Sequence, residues 1–345
     1  MIKSVQAGRA IAALAVFVGH LEMLMTKPKY GGSFLFDHWT LAGGLGVDFF
    51  FVLSGFIICL AHSKDVDKPT EFSRYSWRRF SRVHPIYWIY TVGFIVLSLW
   101  GIGETTFSLA PRDVFSYFTL IHFTNASAPL GVAWTLFYEV AFYIIFSILI
   151  INRKLGTVVM LVWLGLILSN VMTPYGDKRT FLGDLLSWMN LNFFLGMLVY
   201  WVYSKHKGSP LVSGVLGTLL LIFAVVMNRF GIFEQIPWAR LAAGLSFAFL
   251  LHSAITFEKM GCLNVPAPLV FLGNASYTIY LSHVSLASLF LIIVSRSYLL
   301  SFISPYAVFA LGVIIIPMVS CVAYMVLERP LLHFLNRHRG SRIRP

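Results

Sequence analysis

The sequence predicts an all-α polytopic transmembrane helix bundle of about ten spans, on three observations. The 345-residue chain is 58% hydrophobic and 12% charged, against about 45–50% and about 25% in soluble domains. A soluble domain this apolar would expose large greasy patches and aggregate. The apolar residues fall in runs near the ~20 residues of helix that cross a bilayer. The formal charge of +12 sits mostly between those runs, as it does in the cytoplasmic loops of membrane proteins. Disorder, collagen, coiled coil and a disulfide-stapled secreted domain are excluded by the same composition. So is nucleic-acid binding, because the basic residues are interleaved with apolar spans. Loops and tails use the rest of the chain, so function is expected inside the bundle.

The apolar runs place helices near 8–25, 43–62, 86–100, 131–151, 155–173, 189–204, 211–228, 238–257, 273–295 and 304–327. The stretch 112–123 is amphipathic and suits the membrane interface. Lys3 before an apolar run mimics a signal peptide. Arg9 interrupts that run and no small-residue cleavage site follows Leu24, so the segment is expected to stay as the first span. With the N-terminus inside, seventeen Lys and Arg fall in inner segments and seven in outer ones. That bias predicts both termini in the cytoplasm and an even number of spans. Residues 1–330 form one membrane domain on this reading, and 331–345 a basic cytoplasmic tail. Cys59, Cys262 and Cys321 are odd in number and suggest no disulfide framework. No Cys/His cluster has zinc-ligand spacing, so no metal is implied. No internal repeat is evident.

Ionisable residues inside a span cost at least about 2.5–3.5 kcal/mol, so they are the first candidates for function. The first span carries Arg9 and His20. Eleven residues are three helical turns plus about 20°, so the two share one face about 16 Å apart. Singly, Arg9 reads equally well as an interface anchor and His20 as an interhelical hydrogen bonder. The pair favours function. The second span opens GLGVDFFFVLSGF, with Asp48 near its outer end as a candidate partner for His20 or a structural acid. Gly46, Ser54 and Gly55 there suit close helix packing.

The loop FSRYSWRRFSRVHP is the most basic segment. If helical, it carries an Arg74, Arg78, Arg82 stripe with Arg79 beside it, near Trp77. Arginine binds phosphate bidentately, so Arg78, Arg79 and Arg82 are candidates for a phosphate-bearing ligand, against anionic-lipid contact. Glu139 in AWTLFYEVAFY lies roughly 12 Å deep and needs Arg9, His20 or a substrate hydroxyl as partner. His283 in SYTIYLSH stands alone and reads as a structural hydrogen bonder. Trp134 and Tyr277 are, with His283, further pocket candidates. Glu328-Arg329-Pro330 reads as a helix end with a local ion pair. No nucleophile elbow, Walker loop or dinucleotide fingerprint occurs.

These segments resemble the integral membrane acyltransferase 3 family, whose members acylate sugars of exopolysaccharides, O-antigens, nodulation factors and some macrolides. The resemblance runs from Arg9 to Pro330. It is carried by Arg9 and His20 at the family's spacing, GVDFFFVLSGF, Arg79-Phe80-Ser81-Arg82 with His84-Pro85, WTLFYEVAFY and LGNASYTIYLSH. The short exopolysaccharide-acetylating members are the most similar, since no hydrolase-like domain follows Pro330. The resemblance implies a multi-pass enzyme of the inner membrane. It would move an acyl group from cytoplasmic acyl-coenzyme A to a hydroxyl of a cell-surface or lipid-linked carbohydrate. Acetyl is expected, with succinyl or another short acyl as alternatives. On this picture Arg78, Arg79 and Arg82 hold the donor's phosphates and Arg9 stabilises the thioester oxyanion or steers the donor. His20 is the general base or a covalent relay, oriented by Asp48 or Glu139. The rival class is a secondary transporter, which lacks support from any repeat or paired broken helices. A scaffold or sensor would not need Arg9, His20 and Glu139 buried together.

Overall fold

The computed structural model describes residues 2–37, 39–100, 107–171, 180–297 and 303–340. It is all-α among those residues. The helices are α1 (Lys3–Met25), α2 (Gly46–His62), α3 (Phe72–Leu99), α4 (Pro111–Thr119), α5 (Trp134–Ile151), α6 (Arg153–Val171), α7 (Phe181–Leu186), α8 (Leu191–Ser204), α9 (Pro210–Arg229), α10 (Ile232–Gln235), α11 (Leu241–Lys259), α12 (Ala267–Arg296), α13 (Pro305–Ala323) and α14 (Arg329–Gly340). The last two are joined by a π-helical turn, Tyr324–Glu328. Among the described residues, nine helical stretches are long and apolar enough to cross a membrane.

Helix α8, with 14 residues, is not among the nine, yet its packing makes it the tenth crossing. It runs parallel to α2: Asn192 meets Asp48, Phe193 meets Phe51, and Tyr200 meets Ser63 at the far end. With the turn Trp188–Asn190 before it, the segment is about 27 Å long, close to the ~30 Å hydrocarbon thickness. Helices α1 and α12 also run parallel, with Gly273 on Gln6, Ser276 on Arg9 and His283 on His20. Alternating crossings give that direction only if α8 spans.

Two expected boundaries move. Residues 72–85 are not loop: α3 is continuous for 28 residues with Pro85 inside it. A helix of about 42 Å exceeds the hydrocarbon core, so its polar first half carries the arginines beyond it. This half is too polar to read as a span. The last helix does not stop at Glu328. The π turn carries it on through Gly340, and residues 341–345 of the expected tail lie outside the described residues. The amphipathic stretch near 112–123 begins as the short helix α4.

Small residues set the helix spacing. A Cβ on Gly55 would lie 2.0 Å from the Phe193 carbonyl oxygen, and one on Gly196 only 1.9 Å from that of Val52. On the other side of α2, Gly46 meets the Ala12 carbonyl of α1. Buried Glu22 accepts from the Leu35 and Phe36 amides and from the Thr40 hydroxyl. This clamps Leu35, Phe36 and Thr40 over the C-terminal end of α1.

These contacts separate two glycines. Gly196→Ala overpacks the α2–α8 seam, at a cost of about 1–3 kcal/mol. At Gly165 on exposed α6, a Cβ meets nothing within 4 Å, and alanine is the better helix former. Thermal unfolding in detergent is expected to show a lower melting temperature for Gly196→Ala and none of that loss for Gly165→Ala.

Candidate active site

A cavity of about 140 Å³ opens among α1, α2, α3, α5 and α12. It lies toward the end of the bundle where α1 and α12 begin and α2 ends. Arg9, Arg79, Arg82, Glu139, Tyr143, Ser276 and Tyr277 supply its polar wall, and Phe50, Phe51, Leu53 and Leu136 its apolar wall. The helical period explains the set. Thr135, Glu139 and Tyr143 recur every four residues on α5, as do Arg79 and Val83 on α3.

The three arginines have different company. Arg9 donates from Nε to Ser276 Oγ at 3.0 Å. Arg82 pairs with Glu328 at 3.3 Å and lies 5.8 Å from the Tyr277 ring centroid. Arg79 donates to His62 Nε2 at 2.9 Å and stands over the Tyr143 ring. Its Nε is buried without an acceptor. No carboxylate forms an ion pair with Arg79 among the described residues. Glu139 accepts from Ser54 at 2.9 Å and from Tyr143 at 2.5 Å, both through Oε1. Its second oxygen is left for the cavity.

Glu328 is the residue that local sequence reasoning misassigned. It is fully buried and takes a second bond, 2.7 Å, from Thr278 Oγ1. Its ion pair is with Arg82 on another helix, not a local one. The π turn inserts the extra residue that aims it inward, a distortion frequent at functional sites.

The other end of the same helix pair carries the histidines. His20 Nδ1 lies 3.1 Å from His283 Nε2, and His283 Nδ1 lies 3.1 Å from the Ile279 carbonyl oxygen. A carbonyl only accepts, so His283 Nδ1 carries its proton. With both rings neutral, His283 Nε2 accepts from His20 Nδ1. That leaves His20 Nε2 with a free lone pair, the nitrogen a general base needs. His283 is completely buried and His20 partly exposed. His283 therefore does not stand alone, as its isolated position in the sequence suggested. It is the direct partner of His20.

Five expected placements change. Asp48 is fully buried but committed elsewhere: Arg240 Nε donates at 2.8 Å and Asn192 Nδ2 at 3.0 Å. It does not line the cavity and has no bond to His20. Glu139 orients Ser54 and Tyr143 rather than His20. Arg78 is turned about 100° from Arg79 on α3 and lies outside the lining. Trp134 is turned about 140° from Glu139 and packs edge-on against Tyr138 instead. His20 and His283 are not in the lining either. The Tyr280 ring lines the cavity and lies 5.8 Å from the His283 ring.

A second His–Asp pair lies outside the spans. His122 Nδ1 contacts Asp184 at 2.5 Å while its ring stacks on Phe137 at 3.6 Å. Burial pushes the Asp184 carboxyl up and His122 draws it back down. The pair staples the segment after α4 to α7.

The acyltransferase domain family matches residues 2–326. The chain belongs to the acyltransferase 3 family. It is 28% identical over 320 residues to the exopolysaccharide production protein ExoZ of Rhizobium meliloti, covering 89% of this chain and 93% of the relative. It is 25% identical over 335 residues to the peptidoglycan O-acetyltransferase OatA of Listeria monocytogenes, covering 84% of this chain and 50% of that one. The chain thus spans about half the length of OatA. No solved structure matches. The protein is a multi-pass membrane acyltransferase by family.

The Asp48–Arg240 pair gives a test that separates structure from chemistry. Removing one partner of a buried ion pair strands the other, at about 3–5 kcal/mol. Arg240→Ala is expected to lower the folded yield and the melting temperature. Whatever folds should retain its activity per molecule, read as transfer rate against folded protein.

Proposed function

We propose that the protein is an O-acyltransferase that takes a short acyl group, acetyl first, from acyl-coenzyme A in the cytoplasm. It delivers the group to a hydroxyl of a cell-surface or lipid-linked carbohydrate on the far side of the inner membrane. One observation carries the reading: the parallel pair α1–α12 holds an arginine-lined cavity at one end and a histidine pair with a free Nε2 at the other. The seventeen-to-seven charge bias favours the cavity end as cytoplasmic.

Arg79 offers the uncompensated charge for the donor's phosphates. Arg82 is already paired with Glu328 and shapes the wall. Arg9, about 16 Å from His20 by helical rise, is placed to steer the donor at the cavity rather than to meet the thioester oxygen at His20. In the transfer, His20 Nε2 takes the proton of the acceptor hydroxyl. The hydroxyl oxygen bonds to the acyl carbon, the carbon–sulfur bond breaks, and the thiolate leaves to be protonated as coenzyme A. His283 fixes the His20 tautomer and accepts hydrogen-bond polarisation as imidazolium forms. The alternative order, with the acyl group resting first on His20, uses the same nitrogen. Two points support the carbohydrate acceptor: the family membership, and likeness to proteins named for exopolysaccharide production and peptidoglycan O-acetylation.

Transfer of label from acetyl-coenzyme A by purified protein in liposomes tests the reaction directly. A general base contributes about 10²–10⁴-fold. His20→Ala is expected to lose transfer by that factor while keeping coenzyme A binding, and His283→Ala to lose most of it because the tautomer is released. A His20→Ala protein that transfers at the wild-type rate would remove the mechanism.

Sidedness has its own test. Cysteine placed at Thr70, in the segment between α2 and α3, should label only from the cytoplasm. Labelling from outside intact cells would put the donor site on the wrong face.

A further inference from the structure

We infer that His62, held by Asp65, is a positioning residue that sets Arg79 for anion capture and releases it on acidification. His62 is completely buried at the end of α2. Its Nδ1 lies 2.8 Å from Asp65 Oδ2, and its Nε2 2.9 Å from Arg79 Nη2. A guanidinium has only donors, so the second contact is a hydrogen bond only when His62 Nε2 is a bare lone pair. The carboxylate of Asp65 holds the single proton on Nδ1. The chain Asp65–His62–Arg79 therefore works in one protonation state, the neutral ring.

Its far end is aimed at the cavity, where Arg79 sits with Nε buried and unsatisfied. An unmet donor on a cation with no paired carboxylate is a seat for an anion. Protonation of His62 turns its Nε2 into a second donor facing the guanidinium. The hydrogen bond is lost and two positive groups oppose each other. Other groups facing His62 do not reverse this sign. Tyr75 from α3 lies edge-on to the ring at 4.9 Å, Arg78 adds positive charge from the same helix, and Cys59 is the neighbouring thiol of α2. From α5, Tyr143 faces Arg79 rather than His62. Asp65 alone favours the imidazolium.

The identity of the anion as a coenzyme A phosphate rests on the donor reading above. The capture of an anion by Arg79 under the control of His62 does not. The test accordingly uses two probes on purified full-length protein in detergent. Sulfate, whose charge is constant across the range, is titrated calorimetrically from pH 8 to pH 5, and coenzyme A is used as competitor at pH 8. Sulfate affinity is expected to fall about tenfold or more in a single step as the pH drops, the loss of one charge-assisted hydrogen bond. In His62→Gln the amide oxygen still accepts from Arg79 and cannot titrate, so affinity is retained and the step disappears. Asp65→Asn is expected to move the step to lower pH, a shift that a merely structural role would not produce. It also decides the matter if His62→Gln fails to fold.

A wild type that binds no sulfate, or shows no step, overturns the inference. So does a His62→Gln protein with the wild-type step. If sulfate behaves as expected but coenzyme A does not compete, the donor reading fails while the role of His62 stands.

Discussion

Polar side chains packed between helices must find hydrogen-bond partners within the protein, and Arg9, Arg82 and Glu139 around the cavity impose that demand on the helices beside them. Each bond that answers it joins two helices. Arg9 ties α1 to α12 through Ser276, and Arg82 ties α3 to the π turn through Glu328. Glu139 ties α5 to α2 through Ser54. The same carboxylate and hydroxyl groups that make the site polar are what hold its walls in register. Losing one partner would leave an unpaired charge where water cannot reach it, so site and scaffold cannot vary independently.

The parallel seam between α1 and α12 is the second consequence. Direct contact along that seam fixes Arg9 against Ser276 and His20 against His283, about 16 Å apart by helical rise. Arg9 and the His20–His283 pair therefore stand at fixed separation on one rigid element pair. A crossing α8 is needed for this geometry, and the glycines at 55 and 196 let α8 lie against α2.

Local sequence signals revealed much of this. Apolar runs located the spans, including the short sixth one, and the Arg9–His20 spacing put both residues on the face of α1 that packs on α12. Pairings between distant helices were not legible, because periodicity records which face is buried and not what buries it. Asp48 bonds to Arg240, 192 residues away, and Arg82 to Glu328, 246 residues away. A signal for the first existed in Arg240, which falls inside the expected run 238–257, although the helix itself begins at Leu241. No comparable signal announces the π turn that aims Glu328. Helix α3 was divided in the reading because its basic half is too polar for a span, although nothing in it except Pro85 opposes a helix. Proline there removes one backbone donor, and the chain stays helical around it.

The aromatic lining of the cavity bears on how such an enzyme can handle a thioester. Tyr280 is buried, bonds to Thr135 at 2.9 Å and packs edge-on against Phe50. Its ring lines the cavity and lies near His283. In the acyltransferase reading this wall has a purpose that a solute pathway would not share. An open passage would bring water to an activated acyl carbon and to the bare His20 nitrogen, and excluding water from a reactive site suppresses that side reaction. A transporter needs the reverse, a route that opens fully to each side in turn. A hydrogen-bonded aromatic side chain beside the arginine-lined cavity and the histidine pair fits a machine that passes an acyl group while limiting the water that reaches it.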